Sequence, residues 1–394
     1  MIAAQLTARF PNGMSSLAIL LHVEHTTGSY GAAGLALAAA SVGQAVAGPI
    51  TSRWMGAWGM RRVLTLTLSV CVLAFLGLAL LPLAVPGYMA LGLVAGLSTP
   101  PVQAAVRTIY PKLVNSSQLT PLFSLDASLQ EIIWILAPVT ITLVSTQIGT
   151  VPGLLLVAAI LVAGGAWFIL SPEVGRVRIP RSRHGFGRVV LKPPVLMATV
   201  IGFLLIGACS AVEVGVVATF GHGGEHESGI ESGIVLAVFA LGSLVGGLAS
   251  GRVPIGPWAM ARRLAIVTVG LALTMVSLNV FWLGGTLLVA GIGVAPALAV
   301  LFAITTASVK FSETAEAFGW AGTGQLIGAA AGSAIAGFLI DQTGGAPQGA
   351  YLAATLFAAV GLAASILFVR AFPDLRHRDP SPIPDTEPVS LPPS

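Results

Sequence analysis

The sequence predicts an all-α polytopic membrane protein, with twelve transmembrane helices in two six-helix bundles. Three observations carry this expectation. The first is composition: of 394 residues 55% are hydrophobic and only 9% are charged, with a mean hydropathy of +0.91. A typical soluble domain has about a quarter of its residues charged, and so few charges cannot make a hydrated surface for a chain of this size. The second is that apolar runs of about twenty residues recur along the whole chain. Each can cross roughly 30 Å of hydrocarbon as a helix, and a helix satisfies its own backbone hydrogen bonds in lipid. The third is the placement of the basic residues.

Spans are expected at residues 2–22, 30–51, 62–83, 87–109, 122–146 and 150–170, and, after a basic connection, at 193–217, 230–251, 261–279, 282–305, 314–338 and 347–369. If the first segment, interrupted by Pro11, failed to cross, the count would fall to ten or eleven. In the twelve-span arrangement with the N-terminus inside, the joins facing one side hold Arg53, Arg61, Arg62, Arg107, Lys112, Arg176, Arg178, Arg181, Arg183, Arg188, Lys192, Arg252, Arg262, Arg263 and Lys310. The tail adds Arg370, Arg376 and Arg378, and Arg9 lies within the first segment. No Lys or Arg falls in a join on the other side. By the positive-inside rule the basic side and both termini are cytosolic, and one missed span would reverse the pattern partway.

This divides the chain into a first bundle over residues 1–170, a basic linker over 171–192, a second bundle over 193–370 and a tail over 371–394. The linker carries "VGRVRIPRSRHGFGRVVLK" and is expected to be a flexible segment facing anionic lipid. The tail, rich in proline, is expected to be disordered. Both halves place a basic join after their second span, a weak internal repeat. The 47 glycines fall partly in rows such as "GSLVGGLASG" and "GAAAGSAIAG", which let helices approach closely and could also serve as sliding surfaces. The two cysteines, Cys71 and Cys209, lie in apolar segments and point to no disulfide framework. The basic residues are spread over short joins, so they indicate no nucleic-acid partner.

Ionisable residues inside apolar segments are costly and therefore informative. Asp126 and Glu131 share the fifth span. Five residues apart, they differ by about 140° around the helix and by about 7 Å in depth, so they should have different jobs. Arg107, ending the fourth span, is expected to pair with Asp126 or to act as a gate charge. Arg9 is expected near the depth of Glu131, as a possible partner across the central cavity. Glu131 and Glu213 are the candidates for proton coupling, with Gln44 and Gln325 as donors and acceptors for a solute. Glu313 and Glu316 bracket the start of the eleventh span in "SETAEAF"; Ser312 would cap the helix with both acids near its positive end, or the acids would meet arginines of the basic turns. Trp320 is expected in packing and Asn279 at the outer mouth of the ninth span. The outer loops pool His22, Glu24, His25, His222, Glu225, His226, Glu227 and Glu231, a wet vestibule of pH-sensitive charge and not a metal site, since no helical spacing fixes the ligands. Phosphate-cradling motifs and nucleophile sets are missing from the sequence, so neither an ATP-driven machine nor an enzyme is expected, and no cofactor.

Within this architecture the turn "GPITSRWMGAWGMRR", residues 48–62, resembles the signature loop between the second and third helices of the major facilitator superfamily. That pattern runs glycine, acid, base, then glycine and a basic pair. Gly59 and Arg61 fit; Met60 stands where the first of the basic pair belongs, with Arg62 downstream. Gly56 stands at the acid, Ala57 at its basic neighbour and Ser52 at the leading glycine. The family's acid helps latch the two bundles, so here the latch must be absent or supplied otherwise. Arg53, paired with the start of the eleventh span, could supply it. "GLSTPPVQAAVRTIYPKL", "SLDASLQEIIWILAPV" and "TAEAFGWAGTGQLIGAAAGSAIAGFLID" resemble actinobacterial drug-efflux-like members. The resemblance implies a monomeric secondary transporter of the bacterial cytoplasmic membrane that moves a small amphipathic solute against protons by alternating access, in contact with membrane lipids. A sugar or organic-anion importer of the same fold, or a membrane sensor or scaffold without flux, remains open.

Overall fold

A computed structural model describes residues 1–182, 185–220, 230–251, 253–376 and 380–385, the side chains of Tyr30 and Ile230 excepted. Arg183, Arg252, Arg378 and the His222–Glu227 group of the sequence analysis lie outside them. Among the described residues the regular structure is helical, apart from one isolated β-bridge between Lys310 and Ile383. In order it forms α1 (Ile2–Thr27), α2 (Tyr30–Trp58), α3 (Met60–Leu80), α4 (Val85–Leu97), α5 (Val102–Ile109), α6 (Ser116–Gln147), α7 (Thr150–Leu170) and the short α8 (Pro172–Arg176). The second half forms α9 (Pro193–Phe220), α10 (Ile230–Ser250), α11 (Ala259–Leu273), α12 (Val280–Ala307), α13 (Phe311–Gln342) and α14 (Gln348–Leu367).

Among the described residues, with α4 and α5 as one broken element, there are twelve long segments, ten of them long and apolar enough to cross a membrane. The other two are α1 and α11. α1 carries Gln5, Arg9 and Asn12 but is unbroken by Pro11, and its 26 residues reach about 39 Å. α11 has 15 residues, ending at Leu273 instead of the expected 279. Both are packed among the other helices: α1 against α2, α6 and α7, and α11 against α12 and α14.

Several boundaries differ from expectation for local reasons. The fourth span is broken at Pro100–Pro101, where two successive residues lack an N–H and cannot continue the ladder. α2 continues to Trp58, placing Arg53 on the helix instead of in a turn. α6 begins at Ser116, six residues earlier than expected, and tolerates Pro121 and Pro138.

Within the first bundle α2 lies along α4, and within the second α10 lies along α12. Both contacts need glycine. A Cβ on Gly96 would stand 1.9 Å from the Ala40 carbonyl oxygen, and one on Gly246 2.1 Å from that of Ile292. The equivalent placement gives the internal repeat a physical basis. The bundles meet mainly through α2 on α13, α5 on α13, and α6 on α10 and α12. Every named contact there involves the half of each helix nearest the basic turns. Here α12 is the most enclosed of the ten apolar spans: all residues from Gly293 to Ala307 are buried. The molecule is thus closed at its basic end.

The linker and tail depart from expectation. The linker is not a free segment: Ile179 and Val189 are buried, and Phe186 packs on Trp320. Apolar residues between its arginines anchor it beneath α13. The described parts of the tail are also docked. Phe372 is buried, Leu375 N–H donates to the Ile255 carbonyl, and Ile383 bridges residues 309–311 by two backbone hydrogen bonds of 2.9 and 3.1 Å. A proline-rich strand needs no helical partner and can still pair at an open edge.

Candidate functional site

Three groups of polar side chains break the apolar interior. The deepest in the first bundle centres on Asp126. Arg9 Nη1 donates to its Oδ1 at 2.7 Å and Arg107 Nε to its Oδ2 at 3.2 Å. Tyr110 Oη and Gln5 Nε2 also donate to Oδ1, at 3.0 and 3.4 Å. Gln130, one turn further along α6, accepts from both arginines. Arg9, Arg107 and Asp126 are all at least 97% buried. The expected Arg107–Asp126 pair is present, but the expected approach of Arg9 to Glu131 is not; Arg9 binds Asp126. The early start of α6 explains this. Asp126 is ten residues into α6, about 15 Å, and Arg9 seven residues into α1, about 10 Å, so these two are the closer in depth. Arg107 also reaches across the bundle boundary, its guanidinium carbon lying 3.5 Å from the centroid of the Phe302 ring of α12.

The second group closes the basic end. Arg53 Nη1 meets Glu316 Oε2 at 2.8 Å, and Glu316 Oε1 accepts the Gly187 N–H at 2.8 Å. Glu313 pairs with Lys192 at 2.5 Å and accepts the Lys310 N–H at 3.1 Å. Thus the expected contact between a basic turn and the start of the eleventh span is made by Glu316, while Glu313 binds the linker. Lys310, not Ser312, is the N-cap; Ser312 instead donates to Asp385 of the tail at 2.5 Å. Arg61 donates to the carbonyls of Ile169 and Ser171 at 3.1 and 3.2 Å, tying α3 to the end of α7. Arg62 is exposed. Gly59, at φ +92°, turns the chain between α2 and α3. Lys112 lies 4.4 Å from the centroid of Phe311, a second cationic contact across the boundary.

The third group lies deeper along the bundle boundary. Ser124, Ser128 and Glu131 recur at i, i+4 and i+7 on the face of α6 turned to α10. Ser124 Oγ donates to the Gly247 carbonyl, Ser128 Oγ to that of Leu244 at 3.5 Å, and Glu131 lies near Ser243 of α10. Cys209 lies one turn before Glu213 on α9. Glu213, near the far end of α9, keeps exposed surface. Gln325 lies beside Gly202 of α9. Gln44 lines a separate cavity of the first bundle, with Asn12, Ser15, Ser41 and Thr99.

Two other expectations change. His22 does not line a wet vestibule: it is buried, its Nδ1 is 3.1 Å from Thr150 Oγ1, and it packs edge-on to Tyr88. Asn279 lies outside α11 and caps α12, accepting the Phe281 N–H at 3.0 Å. Among the described residues, no cluster of three or more His, Cys, Asp or Glu side chains could hold a metal ion.

Sequence reasoning missed Gln5, Tyr110, Phe302, Phe318 and Ser243. The i, i+4 spacing of Gln5 and Arg9 was a signal; the phenylalanines carried none, being apolar residues among apolar residues.

Comparison with known proteins accords with this geometry. Residues 1–286 match the family model described as Major Facilitator Superfamily. No curated protein matches. Among solved structures, a bacterial homologue of the iron transporter ferroportin, in an outward-facing state, is 14% identical with a TM-score of 0.74, covering 93% of this chain and 97% of that one. The human organic anion transporter MFSD10 is 14% identical with a TM-score of 0.68, covering 92% and 97%. The proton:xylose symporter XylE is 13% identical with a TM-score of 0.70, covering 95% of each chain. At these identities the likeness speaks for the fold alone. The family match, over most of the chain, goes further: this protein belongs to the major facilitator superfamily of membrane transporters.

Proposed function

We propose that the chain is a secondary active transporter that exports a small amphipathic solute from the cytosol in exchange for protons. It would work as a monomer in the bacterial cytoplasmic membrane, with its basic end and both termini cytosolic. In this reading the closed basic end is the cytosolic gate and the structure is an outward-open state. The observation that carries the proposal is the placement of one carboxylate in an otherwise apolar stretch of each bundle, Glu131 on α6 and Glu213 on α9. A carboxylate in such surroundings is costly when ionised, so closure of the outer side becomes easier once it has taken a proton. A solute that needs the same space or the same charge then exchanges with that proton. The apolar cavity expected between the bundles suits an amphipathic solute, and the resemblance to drug-efflux-like members agrees with export.

A second reading, import of a hydroxylated or anionic solute, is supported by the hydrogen-bonding lining of the Gln44 cavity.

Purified protein in liposomes, screened with a solute panel while internal pH is recorded, tests both readings. Solute-dependent proton movement is expected, with its direction separating exchange from co-transport. E131Q or E213Q should lose uphill transport while retaining solute binding. Unchanged uphill transport in both variants would remove these carboxylates from the coupling role. Binding without flux for every solute would favour a sensor.

A further inference from the structure

The buried network of the first bundle holds more positive than negative charge. Arg9 and Arg107 share one carboxylate, Asp126, and the other groups bonded to them, Gln5 and Gln130, are neutral. A surplus cation away from water needs cover. In this state the opposite bundle provides it. The Arg107 guanidinium carbon is 3.5 Å from the Phe302 ring centroid and 5.9 Å from that of Phe318. The two rings pack on each other at 6.2 Å and on Phe123 of α6 at 6.2 and 6.3 Å.

The division of these partners between bundles has a consequence. Asp126, Gln130 and Arg9 travel with Arg107 in the first bundle, whereas Phe302 and Phe318 belong to α12 and α13. Separation of the bundles at the basic end withdraws the rings and leaves the carboxylate in place. The guanidinium face is then open to the basic-end cavity. A planar, weakly hydrated guanidinium favours a paired-oxygen anion such as a carboxylate or sulfonate, and one such anion balances two arginines against two negative charges.

We propose that, in the state open to the basic end, Arg107 receives the anionic group of a solute, and that this anion and the Phe302 ring compete for the same face of the guanidinium. Closing the basic end returns the ring and displaces the anion from Arg107. Neutral and cationic solutes gain nothing from this step. The inference rests on the transport reading but not on its direction or on protons.

The test is calorimetric binding of benzoate and its uncharged analogue benzamide to the full chain in nanodiscs, which expose both ends. Removing the ring while keeping an apolar side chain, in F302L, should tighten benzoate binding at least fivefold over wild type. Adding R107Q to F302L should weaken benzoate at least tenfold, and benzamide should bind all proteins equally. If R107Q fails to fold, R107K in the F302L background is read instead: it keeps the charge but loses the planar fork, and benzoate should weaken with benzamide unmoved. Benzoate affinity that ignores the Arg107 substitution overturns the proposal, as does F302L tightening benzamide as much as benzoate, or benzoate failing to bind F302L. Failure of the transport reading is distinguishable, because it would show as benzoate selectivity without solute flux in liposomes.

Discussion

Neutralising Glu316 should loosen the basic end by an amount set by its surroundings. The carboxylate is only 3% exposed and accepts two charge-assisted hydrogen bonds, from Arg53 and from the Gly187 N–H, both at 2.8 Å. Arg53 is 26% exposed, so solvent weakens its part of the contact. Glu316→Gln keeps an acceptor for Gly187 and loses the ionic component. Set between a surface pair and a buried charged hydrogen bond, the loss is about 1–2 kcal/mol. This corresponds to roughly a 5- to 30-fold shift toward the state open at the basic end. Arg53→Gln, acting on the more exposed partner, should fall at the lower edge. Spin labels at Arg62 and Trp258, both exposed and in different bundles, placed in a background lacking Cys71 and Cys209, report the separation by pulsed electron resonance. Each single variant should populate a longer distance, and the R53E/E316R swap should recover part of the short one. Three indistinguishable distance distributions would refute the latch and leave Arg53 as a topology signal.

Three further outcomes are expected. Gly319→Leu should drive the same labels apart more strongly than E316Q, because even a Cβ at Gly319 would stand 2.8 Å from the Gly48 carbonyl oxygen and 2.8 Å from the Pro49 Cα; a retained short distance would show that α2 and α13 yield without opening. Truncation after residue 379 should speed hydrogen exchange at the Phe311 and Ser312 amides, which donate to Ile383 and Asp385, while the interior of α13 stays protected; equal protection in the full and truncated chains would mean that the tail does not hold this edge. A single cysteine at Gly345 should react with a membrane-impermeant reagent added outside cells and one at Arg181 should not, and the reverse pattern would invert the orientation.

Much of the architecture was legible because lipid leaves a chain few choices. Helix length, apolar runs and the one-sided placement of Lys and Arg follow from the bilayer itself. The Arg107–Asp126 pair was legible for the same reason: buried charges seek partners, and these two lay near the facing ends of neighbouring spans. The depth of Arg9 was not, because it depended on where α6 begins, and the six extra residues before 122 are polar enough to read as a loop. The break at Pro100–Pro101 was visible in "STPPVQ" but was read through as one span. The linker misled through its arginines, which conceal the burial of Ile179 and Val189 between them. Phe302 and Phe318 were invisible as functional residues. A cation–π contact depends on what lies opposite in space, and nothing in the local sequence distinguishes these rings from packing.

The geometry of α6 joins two of the three polar groups, the Asp126 network and the serine face. Asp126 and Gln130, four residues apart, face α1 and α5 and bind both arginines. Ser124, Ser128 and Glu131 lie on another face, within about 60° of one another at 100° per residue, and look toward α10. The first face fastens α6 to its own bundle through buried ionic bonds that are costly to break singly. The second meets its neighbour through weak hydroxyl-to-carbonyl bonds that can be exchanged for water once the gate opens. Motion between bundles therefore breaks at the serine face and spares the Asp126 face. Because Glu131 stands on the serine face, it cannot keep its position near Ser243 while α6 slides on α10. In the proposed cycle, a proton at Glu131 and the state of the basic-end gate are accordingly linked through one rigid helix, with no intermediate chain of contacts required.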